Sequence, residues 1–180
     1  MASDSEILRL YRDGSHEQAF RLLLKTYQER LYWHIRRMVI DHDDADDCLQ
    51  NTFIKIWKGL ESFRGDSGLY TWLWRIATNE TISFLTKRQT RSDQGAMLAA
   101  ERLPSDPWFD GDRLQEALHR CIAKLPPKQK AVFNLRYFED MPYSEIADVL
   151  ETSEGSLKAS YHHAYEKIKE WMQEEMDMKI

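Results

Sequence analysis

Covalent and rigid framework residues are scarce in this chain. Its 180 residues include two cysteines, seven glycines and five prolines, which excludes a disulfide scaffold and a Gly- or Pro-rich low-complexity protein. Cys48 and Cys121 lie far apart, and Cys121 falls on the apolar stripe Leu114, Leu118, Cys121, Leu125. Both are expected to be buried thiols in a reducing compartment. No apolar run approaches the length of a bilayer span, and the opening Met1-Ala2-Ser3-Asp4-Ser5-Glu6 is acidic rather than signal-like. The expectation is a cytoplasmic protein without membrane insertion. Strand-like alternation is also missing. Excess positive charge is missing too: the net charge is −5, with 13 basic and 13 acidic side chains over residues 1–90 and 10 basic against 13 acidic over 112–180. Phosphate contacts dominate nucleic-acid affinity, so a chain of this charge that handles DNA is expected to borrow its grip from a larger assembly.

What is present is helical periodicity and apolar bulk, with 42% hydrophobic residues and six tryptophans. The expected fold is all-α, with two small helical domains (1–90 and 112–180) joined by a flexible linker (91–111) rich in turn and breaker residues. A short helix from Asp4 to Asp13 ends at Gly14-Ser15. A long helix over 16–40 turns Phe20, Leu23, Leu24, Tyr27, Leu31, Ile35 and Met38 to one side. Five aspartates in Asp41–Asp47 lack the glycine and glutamate spacing of a calcium loop. They read instead as a helix start, where carboxylates meet free amides and the positive dipole end. That helix, to about Leu60, buries Cys48, Leu49, Phe53, Ile56 and Leu60 and leaves Asp47, Gln50, Asn51, Ile54, Lys55 and Trp57 on its other side. A Trp beside amides and an acid suits a protein-docking face.

A loop, Phe63-Arg64-Gly65-Asp66-Ser67-Gly68-Leu69, precedes a helix running to about Arg88. Along it Tyr70, Trp72, Trp74, Arg75, Asn79, Lys87 and Arg88 interleave rings, cations and an amide, a set able to stack on and bond unpaired bases. At least one of these tryptophans, Trp72 by expectation, belongs to the core. One helical turn is expected near 96–101. Asp112 opens a helix to Leu125, Pro126-Pro127 end it, and a further helix runs to Phe138.

The segment Met141–Ala164 reads as a helix-turn-helix. Ile146, Ala147 and Leu150 give its first helix an apolar face, and small Ala147 permits a close crossing. Ser153 can cap the second helix, which carries the stripe Leu157, Tyr161, Ala164, Ile168, Trp171 toward Glu174. The second helix of such a unit lies in the DNA major groove. A free-standing dimeric regulator is one reading of this motif. A divalent-metal enzyme using the aspartate run is another, but the spacing opposes it and no nucleophile–base pair is visible. No catalytic residue, metal or cofactor is expected.

Asp46–Trp57, Phe63–Ser67 and Thr71–Asn79 resemble domain 2 of the extracytoplasmic-function sigma factors. Leu125–Phe133 and the helix-turn-helix resemble their domain 4. The resemblance spans most of residues 16–170 in the family's order. It implies a specificity subunit of bacterial RNA polymerase that directs promoter recognition and helps melt the minus-10 element. Asp47, Gln50, Asn51, Ile54 and Trp57 would dock on the coiled coil of the largest polymerase subunit. Phe63, Arg64, Gly65, Asp66 and Ser67 would form the pocket for a flipped minus-10 base. Tyr70, Trp74, Arg75, Asn79 and Glu80 would touch the melted strand, with Lys87 and Arg88 near its phosphates. The linker would thread the polymerase interior, and domain 4 would sit on the flap and read the minus-35 element. The implied partners are core RNA polymerase, promoter DNA and an anti-sigma protein, with no small-molecule substrate.

One departure stands out. The family's reading helix commonly carries several arginines, whereas residues 154–170 hold three lysines and three glutamates. Minus-35 readout would then rest on Ser156, Lys158, Ser160, His162 and His163.

Overall fold

The computed structural model describes residues 3–91 and 113–177, the side chains of 89–91 excepted. Among them are eight α-helices: α1 (Asp4–Arg12), α2 (His16–Met38), α3 (His42–Gly59), α4 (Leu69–Arg91), α5 (Arg113–Ala123), α6 (Pro127–Tyr137), α7 (Tyr143–Leu150) and α8 (Glu154–Asp177), with a 3-10 turn at Leu60–Ser62 and no strand. The expected turn near 96–101 and most of the linker lie outside the described residues.

Local chemistry sets the boundaries. Ser3 caps α1 by accepting from the Glu6 amide. Gly14 at φ +84 turns the chain into α2. At the far end of α2, Arg36 folds back to donate to the carbonyls of Val39 (3.1 Å) and Ile40, satisfying acceptors that a helix C-terminus leaves open. Asp41 then starts α3 by accepting from the amides of Asp43 (3.0 Å) and Asp44 (3.3 Å), so the aspartate run acts as a cap. Pro127 occupies the start of α6. Glu151, left-handed at φ +51, closes α7. Ser153 Oγ accepts from the Ser156 amide at 3.3 Å, the expected cap of α8.

One apolar core runs through both halves of the chain. Ile7, Leu23, Leu31, Ile35, Ile56, Leu69, Leu73 and Trp74 belong to the same cluster as Val132, Leu135, Met141, Ile146, Val149 and Leu157. A second, smaller cluster joins Cys121, Ile122, Leu125, Phe133, Ala164 and Ile168. The helix-turn-helix is therefore seated on α4 through α7, while α6 packs on both α2 and α4.

This seating explains where the periodicity misleads. Trp74, not Trp72, is the fully buried ring, because Tyr27, Arg30 and His34 of α2 and Tyr70 of α4 close around it. Trp72 is half-buried, against Phe63 and Gly59. Val149 joins Ile146 in the core while Ala147 and Leu150 pack at its edge, since α7 is wedged between α4 and α8. Leu114 lies in the first turn of α5, before the stretch packed from Ala117 onward, and is 60% exposed. Cys48 and Cys121 are free and buried, and burial raises their thiols to about 12 and about 11.

Candidate nucleic-acid and partner interfaces

On α3, Asp47, Gln50, Asn51, Ile54 and Trp57 are all exposed. Ile54 and Trp57 keep 47% and 44% of their surface in solvent, unusual for large apolar side chains on a helix whose opposite face is core. Phe20 of α2 meets Trp57 edge-on at 5.0 Å, which holds the indole upright without covering it. Beside this row lies a depression of about 350 Å³ lined by Gln28, Asp46, Asp47, Leu49, Gln50 and Phe53. The five residues thus form one polar and aromatic face.

The loop after α3 keeps Arg64, Gly65 and Asp66 exposed, and Gly65 takes φ +80. Phe63 anchors its base against Trp72 at 5.0 Å. Trp72 in turn lies so close to Gly59 that an added Cβ would stand 2.9 Å from its ring.

On α4, Tyr70 and Trp74 are one turn apart and their rings pack at 4.1 Å. The Arg30 guanidinium lies 5.1 Å from both ring centres. Trp74 also contacts Tyr27 and His34. Arg75 is half-buried and Asn79 exposed. Glu80 is engaged by Lys55, and Arg88 pairs with Asp44. Lys87 is exposed.

In the helix-turn-helix, Ser156, Lys158, His162 and His163 are exposed and Ser160 half-buried. Lys158 pairs with Glu154 at 3.5 Å, which dilutes the one cation near the start of α8. A groove of about 410 Å³ is shared by Asn79 and Ile82 of α4 with Lys128, Leu150, Ser156 and Ser160. Residues expected at two separate promoter elements therefore face each other across it.

The contact between the halves is mixed in character. Arg37 donates to Glu139 at 3.0 Å, and the Tyr70 hydroxyl donates to the same carboxylate at 3.4 Å. Thr71 donates to Glu145 at 3.2 Å, and Arg37 stacks on the Phe138 ring at 4.5 Å. Among the described residues, both polar atoms of the Asn134 side chain, Trp74 Nε1, Arg37 Nε and His34 Nδ1 are buried without a protein hydrogen-bond partner.

Arg30, Arg37, Lys130, Asn134 and Glu139 did not emerge from sequence reasoning. Only the spacing of Arg30 and Arg37, two turns apart on one face of α2, could have flagged a cationic pair.

Residues 23–91 match the family described as Sigma-70 region 2, and residues 115–168 match Sigma-70, region 4. The RNA polymerase sigma-H factor of Pseudomonas aeruginosa is 30% identical, with 94% of each chain covered. The ECF RNA polymerase sigma-E factor of Escherichia coli K12 is 32% identical over 84% of this chain and 85% of its own. Two solved structures share the fold. The sigma factor RpoE in complex with the anti-sigma factor NepR from Bartonella quintana has a TM-score of 0.67 at 20% identity, covering 86% of this chain and 96% of its own. CnrH in complex with the cytosolic domain of CnrY has a TM-score of 0.69 at 22% identity, covering 95% and 98%.

Proposed function

This chain belongs to the extracytoplasmic-function sigma factors of RNA polymerase, and on that premise we propose how its surfaces divide the work of starting transcription. As a sigma factor it is a transcription initiation factor that brings core RNA polymerase to particular promoters. Residues 1–90 act as the domain for core docking and minus-10 capture, residues 112–180 as the domain for minus-35 reading, and 91–111 as the linker inside the enzyme.

The exposed α3 face carries this reading. Asp47, Gln50, Asn51, Ile54 and Trp57 form the dock for the polymerase coiled coil, with Trp57 as its aromatic anchor. The Phe63–Ser67 loop receives a flipped base. Tyr70, Trp74, Arg75 and Asn79 hold the melted strand, and Lys87 and Arg88 meet its phosphates. Melting then needs no covalent chemistry. Capturing an unpaired base by stacking offsets the few kcal/mol of unstacking it. The net charge of −5 leaves the electrostatic grip to the core enzyme.

The two elements read by the two domains are about 25 base pairs apart by their names, or ~85 Å at 3.4 Å per pair. Asn79 and Ser156 line a single groove, so the domains must part before both elements are engaged. The closed form is a resting state, and a protein inhibitor that stabilises it is the expected regulator. We place all of this in the cytoplasm, and the described residues contain no helix long and apolar enough to cross a membrane.

The test is transcription in vitro. Purified chain added to core polymerase on genomic DNA is expected to produce discrete start sites that core alone does not use. If no such start sites arise although the chain is folded, this assignment of surfaces is wrong.

A further inference from the structure

Glu139 is an acid of the C-terminal half enclosed by cations of the N-terminal half. It follows α6, and its side chain is only 8% exposed. Its carboxylate lies 3.0 Å from Arg37 Nη1, 3.9 Å from Arg30 Nη2 and 3.4 Å from the Tyr70 hydroxyl. Arg30 simultaneously caps the rings of Tyr70 and Trp74. Two guanidinium groups and a phenol therefore converge on one anion, directly beside a pair of aromatic faces.

Those are the parts needed to hold one nucleotide of a single strand. Guanidinium forks match phosphate oxygens as well as they match a carboxylate. The half-buried Tyr70 ring supplies the face on which the attached base stacks. In the closed chain a carboxylate fills the anion position. When α6 and α7 leave, Arg30 and Arg37 lose this carboxylate.

We propose that Arg30, Arg37 and Tyr70 form a backbone-phosphate site for the strand captured on α4, and that Glu139 is the internal stand-in for that phosphate. This rests on the assignment of α4 to the melted strand given above. Closure and strand binding are then mutually exclusive, because one site cannot hold both anions. Each must weaken the other by the same factor.

The experiment uses the full chain and a short, fluorescent, mixed-sequence single-stranded oligodeoxynucleotide. Small-angle scattering follows domain separation, and anisotropy titrations at several salt concentrations follow binding. Glu139→Gln is expected to raise the radius of gyration and to tighten oligonucleotide binding by about tenfold, the scale of one charge-assisted contact. In that background Arg30→Gln with Arg37→Gln is expected to abolish the gain and to flatten the slope of log affinity against log salt by about 0.7 for the lost phosphate. Arg30→Lys with Arg37→Lys should retain the slope, since charge is kept.

An oligonucleotide affinity and salt slope unchanged by Arg30→Gln and Arg37→Gln overturn the phosphate site. A Glu139→Gln chain that neither opens nor binds more tightly overturns the stand-in. Arg30 is 46% exposed at its side chain, so Arg30→Gln alone in the Glu139→Gln background decides the matter by its slope should the double arginine variant fail to fold. Initiation by the wild-type chain with core polymerase tests the assignment of surfaces independently. A chain that initiates normally while these variants change nothing loses only the phosphate site.

Discussion

Lys130 of α6 donates from Nζ to the backbone carbonyl of Met38 at the end of α2, 3.4 Å away and 92 positions distant in sequence. The ammonium thus sits at the negative end of a helix dipole and ties the two halves together. It is also buried, at 5% exposure, and burial lowers it to about 8 from its usual 10.5.

The sign of that shift makes Lys130 a cost to the closed form at neutral pH. Between about 8 and 10.5 the unfolded chain holds the proton more firmly than the folded chain. Stability contributed by this group therefore rises with pH across that window. The penalty at pH 7 is on the order of 3 kcal/mol before the carbonyl and dipole contacts offset part of it. Lys130→Met should raise the melting temperature, flatten the pH dependence of stability between 8 and 10.5, and slow promoter opening by holding the halves together. A melting temperature that falls would show that the carbonyl contact outweighs desolvation.

Two histidines make the fold acid-sensitive. His34 is fully buried, with Nε2 2.8 Å from Thr78 Oγ1, and burial lowers it to about 3. His119, packed parallel to Phe138, is lowered to about 4, chiefly by burial and then by Arg37 and Arg36. Both folded values lie below the unfolded 6.5. Below pH 6.5 the unfolded chain therefore binds more protons, and stability falls as pH drops toward 4. Each histidine is expected to cost about 2 kcal/mol by pH 5. Urea unfolding midpoints measured from pH 7 to 4.5 should fall steeply, and His119→Gln should shallow that fall.

Trp57→Ala separates docking from folding. The indole is 44% exposed and meets Phe20 edge-on, so stability should drop by no more than about 1 kcal/mol. As the proposed interface anchor, its loss should weaken core-polymerase binding by about tenfold or more. Thermal melting and a surface-binding assay with core enzyme read the two effects. A large fall in melting temperature would mark Trp57 as a packing residue instead.

Gly59→Ala tests the support of the proposed base pocket. The new Cβ would stand 2.9 Å from Trp72, a ring already braced by Phe63. Relieving that clash should cost about 1–3 kcal/mol and displace Phe63, altering tryptophan emission and reducing minus-10 strand capture. Unchanged melting and emission would show that the ring has room to slide.

Most of the secondary structure was readable along the chain because its signals are local. The Asp41 cap, the Gly14 break, the Pro127 start and the Ser153 cap each depend on neighbours within four residues. The row Asp47, Gln50, Asn51, Ile54, Trp57 was readable for the same reason: a helix exposes one side in a regular period. Trp72 and Trp74 mark the limit. Both sit on α4 beside apolar neighbours, and nothing in their local pattern says which one Tyr27, Arg30 and His34 of α2 will enclose.

The order of residues alone determined that this chain is all helical, that its second half carries a helix-turn-helix and that its family is the extracytoplasmic-function sigma factors. Only tertiary structure decided that α6 and α7 rest on α2 and α4, that Trp74 is enclosed and that Glu139 meets Arg30 and Arg37 of the other half. Helix periodicity and caps are written within one or two turns of sequence. A carboxylate and two guanidinium groups separated by a hundred residues meet only when packing brings their helices together.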